Sequence, residues 1–171
     1  EESYGYLAGS YVRDKDAVNA SMLICEMAAF YRMKGISLIQ ARENMYKTYG
    51  VYYHTQQSFT FEGKAGMEKM NSIMENLRKN YVAEIGGLKV ILFEDYLEGI
   101  SKNVETGEIT EIKLPKSNVL VFGLTDGAKV IIRPSGTEPK IKAYYTAIGE
   151  TQSDAQALEK KLAESFSKLI N

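Results

Sequence analysis

The sequence has one cysteine, one histidine, three prolines and no tryptophan. A single cysteine excludes a disulfide within the chain, and a chain without disulfides suits the reducing cytosol. Cys25 lies in the apolar run MLICEMAAF, where a cysteine is typically a small buried hydrophobic residue. His54 has no acidic or cysteine residue near it in the sequence, so we expect neither a metal-binding nor a catalytic role for it.

The sequence also has neither an excess of charge of one sign nor a long apolar run. The 21 basic and 22 acidic residues leave a net charge of −1, which excludes a global positive field for nucleic acid or an anionic membrane. No run reaches the roughly 18 apolar residues of a membrane helix, and we expect no signal peptide. We therefore expect a soluble cytoplasmic protein with no nucleic-acid or membrane partner, in which any anion site is local.

The first part of the chain contains two predicted helices. It opens with EESYGYLAGSYVRDKDAV, which is rich in charge and turn residues and resembles a cut through a longer polypeptide. Asp16 can cap a helix over 17–34 that is apolar on nearly all sides, which predicts deep burial. Ser37 and Gln40 form a capping box for a second helix, which Gly50 ends.

From residue 50 onward the pattern changes to strands interrupted by helices. VYYHTQQSFTF is strand-like, a helix with a methionine-rich face follows, and a helix predicted to be capped by Ser153 and Gln156 ends the chain. Between these helices LKVILFEDYL, ITEIKL, NVLVFGL, AKVII and IKAYYTAI indicate four or five short strands, with TDGA as a tight turn. Consecutive strands predict an α+β fold with an antiparallel sheet and helices packed on one face. We place the domain boundary after residue 45, which gives the domains 1–45 and 46–171. The methionine-rich face of the first helix in the second domain is predicted to belong to the hydrophobic core.

The stretch RPSGTEPK connects two of these strands and offers several donors to an anion. Arg133 has a planar fork that matches two phosphate oxygens, and Ser135 and Thr137 carry hydroxyls. Gly136 can take positive φ and turn backbone N–H groups inward. Lys142, on the following strand, can add a second positive charge. The same residue types also make an ordinary turn, so the loop alone fits both interpretations.

Glu138 departs from a purely cationic site, so we expect it to point away from the anion or to hold Arg133 in place. Two familiar phosphate motifs are excluded, because GxxxxGK[ST] and GxGxxG both lead into a helix. A strand follows RPSGTEPK, so the loop must bind with its own amides and side chains.

RPSGTEP followed by a basic strand resembles the phosphate-binding loop of the α-D-phosphohexomutases, and EESYG resembles their sugar-binding loop. The resemblance covers the whole chain and is greatest to the phosphoglucomutase branch. It implies the tail of the third domain over 1–45, with a sugar-binding loop and a buried helix. It also implies a complete fourth, phosphate-binding domain over 46–171, of the TATA-box-binding-protein-like type.

The resemblance also implies roles for individual residues. Glu1 and Ser3 match residues that contact the sugar hydroxyls, and Lys15 matches a lysine that reaches the substrate. The loop residues that match those binding the nonreacting phosphate are Arg133, Ser135, Gly136 and Thr137. Lys142 lies where a further basic contact is plausible.

Family enzymes interconvert glucose 1-phosphate and glucose 6-phosphate through a phosphoserine and glucose 1,6-bisphosphate. The phosphoserine segment and the Mg²⁺-binding DGDGDR motif are absent from this sequence. The resemblance thus implies that the parent protein is an enzyme whose remaining domains supply the catalytic residues and bind Mg²⁺. It also implies that this chain has no catalytic or metal-binding residues and is inactive alone. Phosphomannomutase and phosphopentomutase are the alternatives within the superfamily. Two more remote alternatives are a non-enzymatic module that binds anions or nucleic acid and a structural domain in which RPSGTEPK is a plain turn.

Overall fold

The computed structural model describes residues 6–11, 13–80, 82–136 and 138–170. The chain divides into two compact units, Glu1–Tyr49 and Gly50–Asn171. The assignment of the first residues to a preceding domain, with a boundary after residue 45, stays a prediction.

The first unit contains helices α1 (Ala17–Met33) and α2 (Leu38–Tyr49). The Asp16 side chain accepts a hydrogen bond from the Asn19 amide at 2.9 Å. The Ser37 amide donates to the Gln40 side chain at 3.0 Å, and the Gln40 amide donates to the Ser37 hydroxyl at 3.2 Å. Both predicted caps are therefore confirmed, since each satisfies amides that the first helical turn leaves without a partner.

The deep burial predicted for α1 is wrong. Ala20 is buried, but Cys25 is exposed and Val18 keeps 84% of its surface accessible. Further apolar side chains of this helix are also exposed: Met22, Leu23, Ile24, Met27, Phe30 and Met33. A helix that is apolar on all sides needs several neighbours, whereas the described part of this unit supplies one other helix, α2.

The second unit is a sheet with two helices. Its described elements are β1 (Val51–Thr60), α3 (Gly63–Lys79), β2 (Glu84–Ile85), β3 (Leu88–Asp95), β4 (Ile100–Asn103), β5 (Ile109–Glu111), β6 (Leu120–Leu124), β7 (Lys129–Pro134), β8 (Lys140–Gly149) and α4 (Gln152–Ile170). The turn before β7 is a short 3₁₀ helix, Thr125–Gly127, where Asp126 has φ of 58°. The sequence prediction missed β2 and β4, because β2 has two residues and β4, ISKN, is mostly polar.

The strands pair antiparallel in the order β1-β8-β7-β6-β3-β4-β5, with β2 beside β3. One face carries the core, in which alternate strand residues pack against α3 and α4. The helices contribute buried residues Met70, Met74, Leu77, Leu162, Phe166 and Ile170 to this core. The predicted α+β class and the core role of the methionine face are confirmed.

The predicted capping box of α4 is wrong. The helix begins at Gln152. The Asp154 amide donates to the Thr151 hydroxyl at 3.2 Å, and the Thr151 amide donates to the Asp154 carboxylate at 3.1 Å. Thr151 and Asp154 have the same spacing of three residues that we assigned to Ser153 and Gln156. The carboxylate of Asp154 is also stabilised by the positive N-terminal end of the helix dipole.

The opposite side of β1, β8 and β7 is exposed or half-buried, and we call it the open face. Along β8 the residues alternate between half-buried and buried, so every second side chain reaches this face. The RPSGTEPK segment joins β7 to β8 at one end of it. Within the described residues, none of the helices has both the length and the apolar character needed to cross a membrane.

Candidate anion-binding site

The loop between β7 and β8 is closed by hydrogen bonds of its own. The Ser135 amide donates to the Lys140 carbonyl at 2.8 Å, and the Lys140 amide donates to the Glu138 carbonyl at 2.7 Å. The Glu138 amide donates to the Ser135 hydroxyl oxygen at 3.3 Å. Ser135 therefore fixes the loop with both its backbone and its side chain, as Ser does in tight turns.

The register of β7 and β8 places two cations directly opposite each other. Arg133 pairs with Lys142, and side chains of such a cross-strand pair point to the same face. Among the described residues, no ion pair or hydrogen bond engages the Arg133 guanidinium. Like charges directly opposite destabilise a strand pair, and an anion bound between them offsets that cost.

A hollow of about 340 Å³ lies at this pair, and we call it the clamp. The described residues that line it are Arg133, Pro134, Ser135, Gly136 and Lys142. The structure thus brings together four of the five residues predicted to bind phosphate. Thr137 lies outside the described residues. The lining offers a guanidinium, an ammonium and a hydroxyl, which are the groups that bind phosphate oxygens.

The conformation predicted for Gly136 is wrong. The described glycines with positive φ do not include Gly136, so it is not in the left-handed region. Among the described residues, a Cβ added at this position would meet no heavy atom within 4 Å. Neither its φ angle nor packing against the described residues requires glycine here. What a missing side chain does provide is room for a ligand to approach the backbone.

Glu138 contacts a lysine and not the arginine. Its carboxylate pairs with the Lys140 ammonium at 2.9 Å. The hydrogen bond and charge of Lys140 lower the pKa of Glu138 below its usual value, and the charge of Lys142 lowers it slightly further. Of the two expectations for Glu138, pairing with Arg133 is therefore wrong. Lys140 pairs with Glu138, and Lys142 is one of the residues that line the clamp.

The residues predicted to bind the sugar remain predictions. Glu1 and Ser3 lie outside the described residues. Lys15 belongs to the first unit and is exposed, and its amide donates to the Asp14 carboxylate at 2.7 Å.

The described residues do not fit a Mg²⁺ site. Among them, no three His, Cys, Asp or Glu side chains lie close enough together to hold a metal ion. Mg²⁺ prefers carboxylate and phosphate oxygens in octahedral geometry, and the clamp has no carboxylate in its described lining.

Comparisons with known proteins relate the chain to one protein family. Residues 70–165 match the model of the phosphoglucomutase/phosphomannomutase C-terminal domain. A phosphoglucomutase of Staphylococcus aureus (strain bovine RF122 / ET3-1) is 44% identical over 146 residues, which cover 85% of this chain and 26% of the relative. A phosphoglucomutase of Staphylococcus haemolyticus (strain JCSC1435) is 41% identical over 147 residues, with the same coverage.

A solved structure is similar in fold. The open form of the exocytosis-sensitive phosphoprotein pp63/parafusin, a phosphoglucomutase from Paramecium, superposes with a TM-score of 0.58 at 17% identity. The match covers 94% of this chain and 28% of that one. The chain thus spans about a quarter of the length of the relatives it matches. Because the family model covers more than half of its length, the chain belongs to the phosphoglucomutase/phosphomannomutase family, and its residues 70–165 match the C-terminal domain of that family.

Proposed function

We propose that this chain is the phosphate-binding end of a phosphoglucomutase that interconverts glucose 1-phosphate and glucose 6-phosphate. The clamp carries the proposal, because Arg133 and Lys142 face one hollow from adjacent strands. The relatives support the choice of reaction, since those compared are named phosphoglucomutase. A protein of this family acts on a phosphosugar, and the clamp is the part of this chain that suits its phosphate.

The clamp is built to hold a phosphate and not to react with it. The described lining contains donors and no aspartate, glutamate or histidine that could act as a general base. A dianion between Arg133 and Lys142 receives charge-assisted hydrogen bonds and relieves the repulsion between the two cations. Such a site positions the phosphate that is not being transferred. In a reaction through glucose 1,6-bisphosphate it would hold each end of the intermediate in turn.

The rest of the reaction belongs to other parts of a longer polypeptide in this proposal. Residues 1–45 would be the end of the preceding domain. The exposed apolar side chains of α1 would pack against the rest of that domain. Glu1, Ser3 and Lys15 would contact the sugar. The phosphoserine and Mg²⁺ would lie on the remaining domains, which would be the partners of this chain, so we expect the chain alone to be inactive.

Titration of the chain with inorganic phosphate, followed by NMR, tests the clamp. We expect the amide signals of Gly136 and Thr137 to shift, and Arg133→Ala to weaken binding about tenfold or more, because a charge-assisted hydrogen bond is lost. Lys168→Ala is the matched control, since this exposed lysine lies on α4, on the helix side of the sheet. No shift at millimolar phosphate, or equal binding by the Arg133 and Lys168 variants, would contradict the proposal.

A further inference from the structure

An ion pair lies just outside the clamp, where β8 begins. The Glu138 carboxylate contacts the Lys140 ammonium at 2.9 Å; Glu138 is exposed and Lys140 is half-buried. Lys140 precedes the clamp residue Lys142 by two positions on β8, so the two lysines lie on the same face of the sheet. Because Arg133 is opposite Lys142, this end of the open face carries three cations, one of which is paired with a carboxylate.

Backbone hydrogen bonds hold this segment without the ion pair. The Lys140 amide donates to the Glu138 carbonyl at 2.7 Å, and the Lys140 carbonyl accepts from the Ser135 amide at 2.8 Å. The Phe61 amide donates to the Pro139 carbonyl at 2.8 Å, which ties the segment to the end of β1. An ion pair that is accessible to solvent adds little stability. The shape of the loop therefore does not explain why Glu138 pairs with Lys140.

The ion pair does change the charge beside the clamp. The hydrogen bond and charge of Lys140 lower the pKa of Glu138, and the charge of Lys142 also lowers it. The Glu138 carboxylate is therefore ionised at neutral pH and close enough to a clamp lysine to interact with it. Like charges repel and opposite charges attract over such distances, so Glu138 opposes a phosphate in the clamp and Lys140 favours it.

The proposed reaction requires that the clamp release its phosphate. Each end of the bisphosphate intermediate occupies the clamp in turn, so one phosphate must leave before the other enters. A third cation that reached the dianion would add a charge-assisted hydrogen bond. Tighter binding of this kind acts mainly by slowing dissociation. An upper limit on the affinity of the clamp therefore favours turnover.

We propose that Glu138 is a positioning residue that limits the affinity of the clamp for phosphate by holding Lys140 away from it. The carboxylate keeps Lys140 in the ion pair and places a negative charge near the ligand, and Lys140 in turn shields the ligand from that charge. This inference rests on the proposed phosphate-binding function of the clamp. It adds a residue outside the clamp that sets how readily the phosphate leaves.

Titration of variants of the chain with inorganic phosphate at constant ionic strength, followed by NMR, tests this role. We expect Glu138→Gln to bind phosphate about three- to tenfold more tightly, because a repelling charge is removed and Lys140 is released. Lys140→Met should bind more weakly by a similar factor, because the carboxylate is left unpaired near the ligand. The double variant and Glu138→Asp, which keeps the carboxylate, should both bind like the unsubstituted chain.

The opposite signs of the two single variants distinguish this role from a structural one, because loss of a loop-stabilising contact would weaken binding in both. Glu75→Gln is the matched control, since it removes the carboxylate of an exposed ion pair on α3, and it should leave the affinity unchanged. Amide spectra check that each variant folds. Weaker or unchanged binding by Glu138→Gln, or equal tightening by Glu75→Gln, overturns the role of Glu138 alone. If Arg133→Ala does not weaken phosphate binding, the clamp itself is wrong.

Discussion

At the scale of single residues, Gly136 distinguishes a binding loop from an ordinary turn. A turn uses glycine where φ is positive, and Gly107 between β4 and β5 is such a position, with φ of 75°. Gly136 does not have positive φ, and a Cβ there would enter open space. The backbone conformation therefore does not explain this glycine, and the proposed function attributes it to the close approach of a ligand.

We predict that Gly136→Ala separates stability from binding. The free energy of unfolding should stay the same or rise by about 0.4–1 kcal/mol, because alanine restricts the unfolded chain at a compatible φ. Phosphate affinity should fall by about tenfold, equivalent to the loss of one charge-assisted contact. Urea unfolding and phosphate titration measure the two quantities.

Gly107→Ala is the matched control for this prediction. It should lower the free energy of unfolding by about 1–2 kcal/mol, because alanine is disfavoured in the left-handed region, and it should leave phosphate affinity unchanged. Phosphate binding of Gly136→Ala at the level of the unsubstituted chain would remove the argument for close approach.

At the scale of elements, a buried ion pair connects α3 to the end of β3. The Arg78 Nε donates to the Asp95 carboxylate at 2.6 Å, and Asp95 is 1% exposed. The second carboxylate oxygen accepts from the Leu97 and Glu98 amides at 2.9 and 3.3 Å, in the turn that follows β3. Arg78 also donates to the Asn118 side chain at 2.8 Å. One carboxylate therefore fixes both a helix and a turn.

We predict that Asp95→Ala lowers the free energy of unfolding by about 3–5 kcal/mol, because it leaves the mostly buried Arg78 guanidinium without its carboxylate and two turn amides without their acceptor. Chemical denaturation measures the loss. Glu75→Ala is the control, since the Glu75–Lys79 pair is exposed and 3.6 Å long, and it should cost less than about 1 kcal/mol. A similar small cost for both variants would show that the buried pair does not fix α3.

At the scale of the whole molecule, the two units differ in how far they bury their apolar residues. The unit Gly50–Asn171 contains a continuous core between its sheet and helices, whereas α1 in the first unit exposes most of its apolar side chains. Exposed apolar patches of this kind mark surfaces that pack against something else. This observation supports the proposal that the first unit belongs to a larger domain.

From the proposed function we predict that a full-length enzyme containing this chain turns over glucose 1-phosphate at least about tenfold faster than ribose 1-phosphate, with mannose 1-phosphate also slower. A clamp that binds only the phosphate does not distinguish these sugars, so the proposal requires discrimination by contacts with the sugar hydroxyls, where a lost hydrogen bond has a large effect. Steady-state assays with the three substrates measure it. Equal or faster turnover of the pentose phosphate would assign the enzyme to phosphopentomutases.

The local structure was largely predictable because its causes are local. Asp16 caps α1, and Ser37 and Gln40 form the capping box of α2. The spacing of the methionines identifies the face of α3 that is buried. The errors arose where two local signals competed or where a signal was too short. Thr151 displaced Ser153 as the cap of α4, and the short strand β4 has no apolar alternation.

The helices, most strands, the fold class and the donors of the loop follow from the sequence alone, because they depend on residues close together in the chain. The pairing of Arg133 with Lys142, and the row of His54, Thr146 and Lys129 across three strands, follow from the folded sheet. These contacts depend on strand register, which pairs residues far apart in the sequence. The sequence could not fix the burial of α1 either, because burial depends on which surfaces surround a helix and not on its own composition.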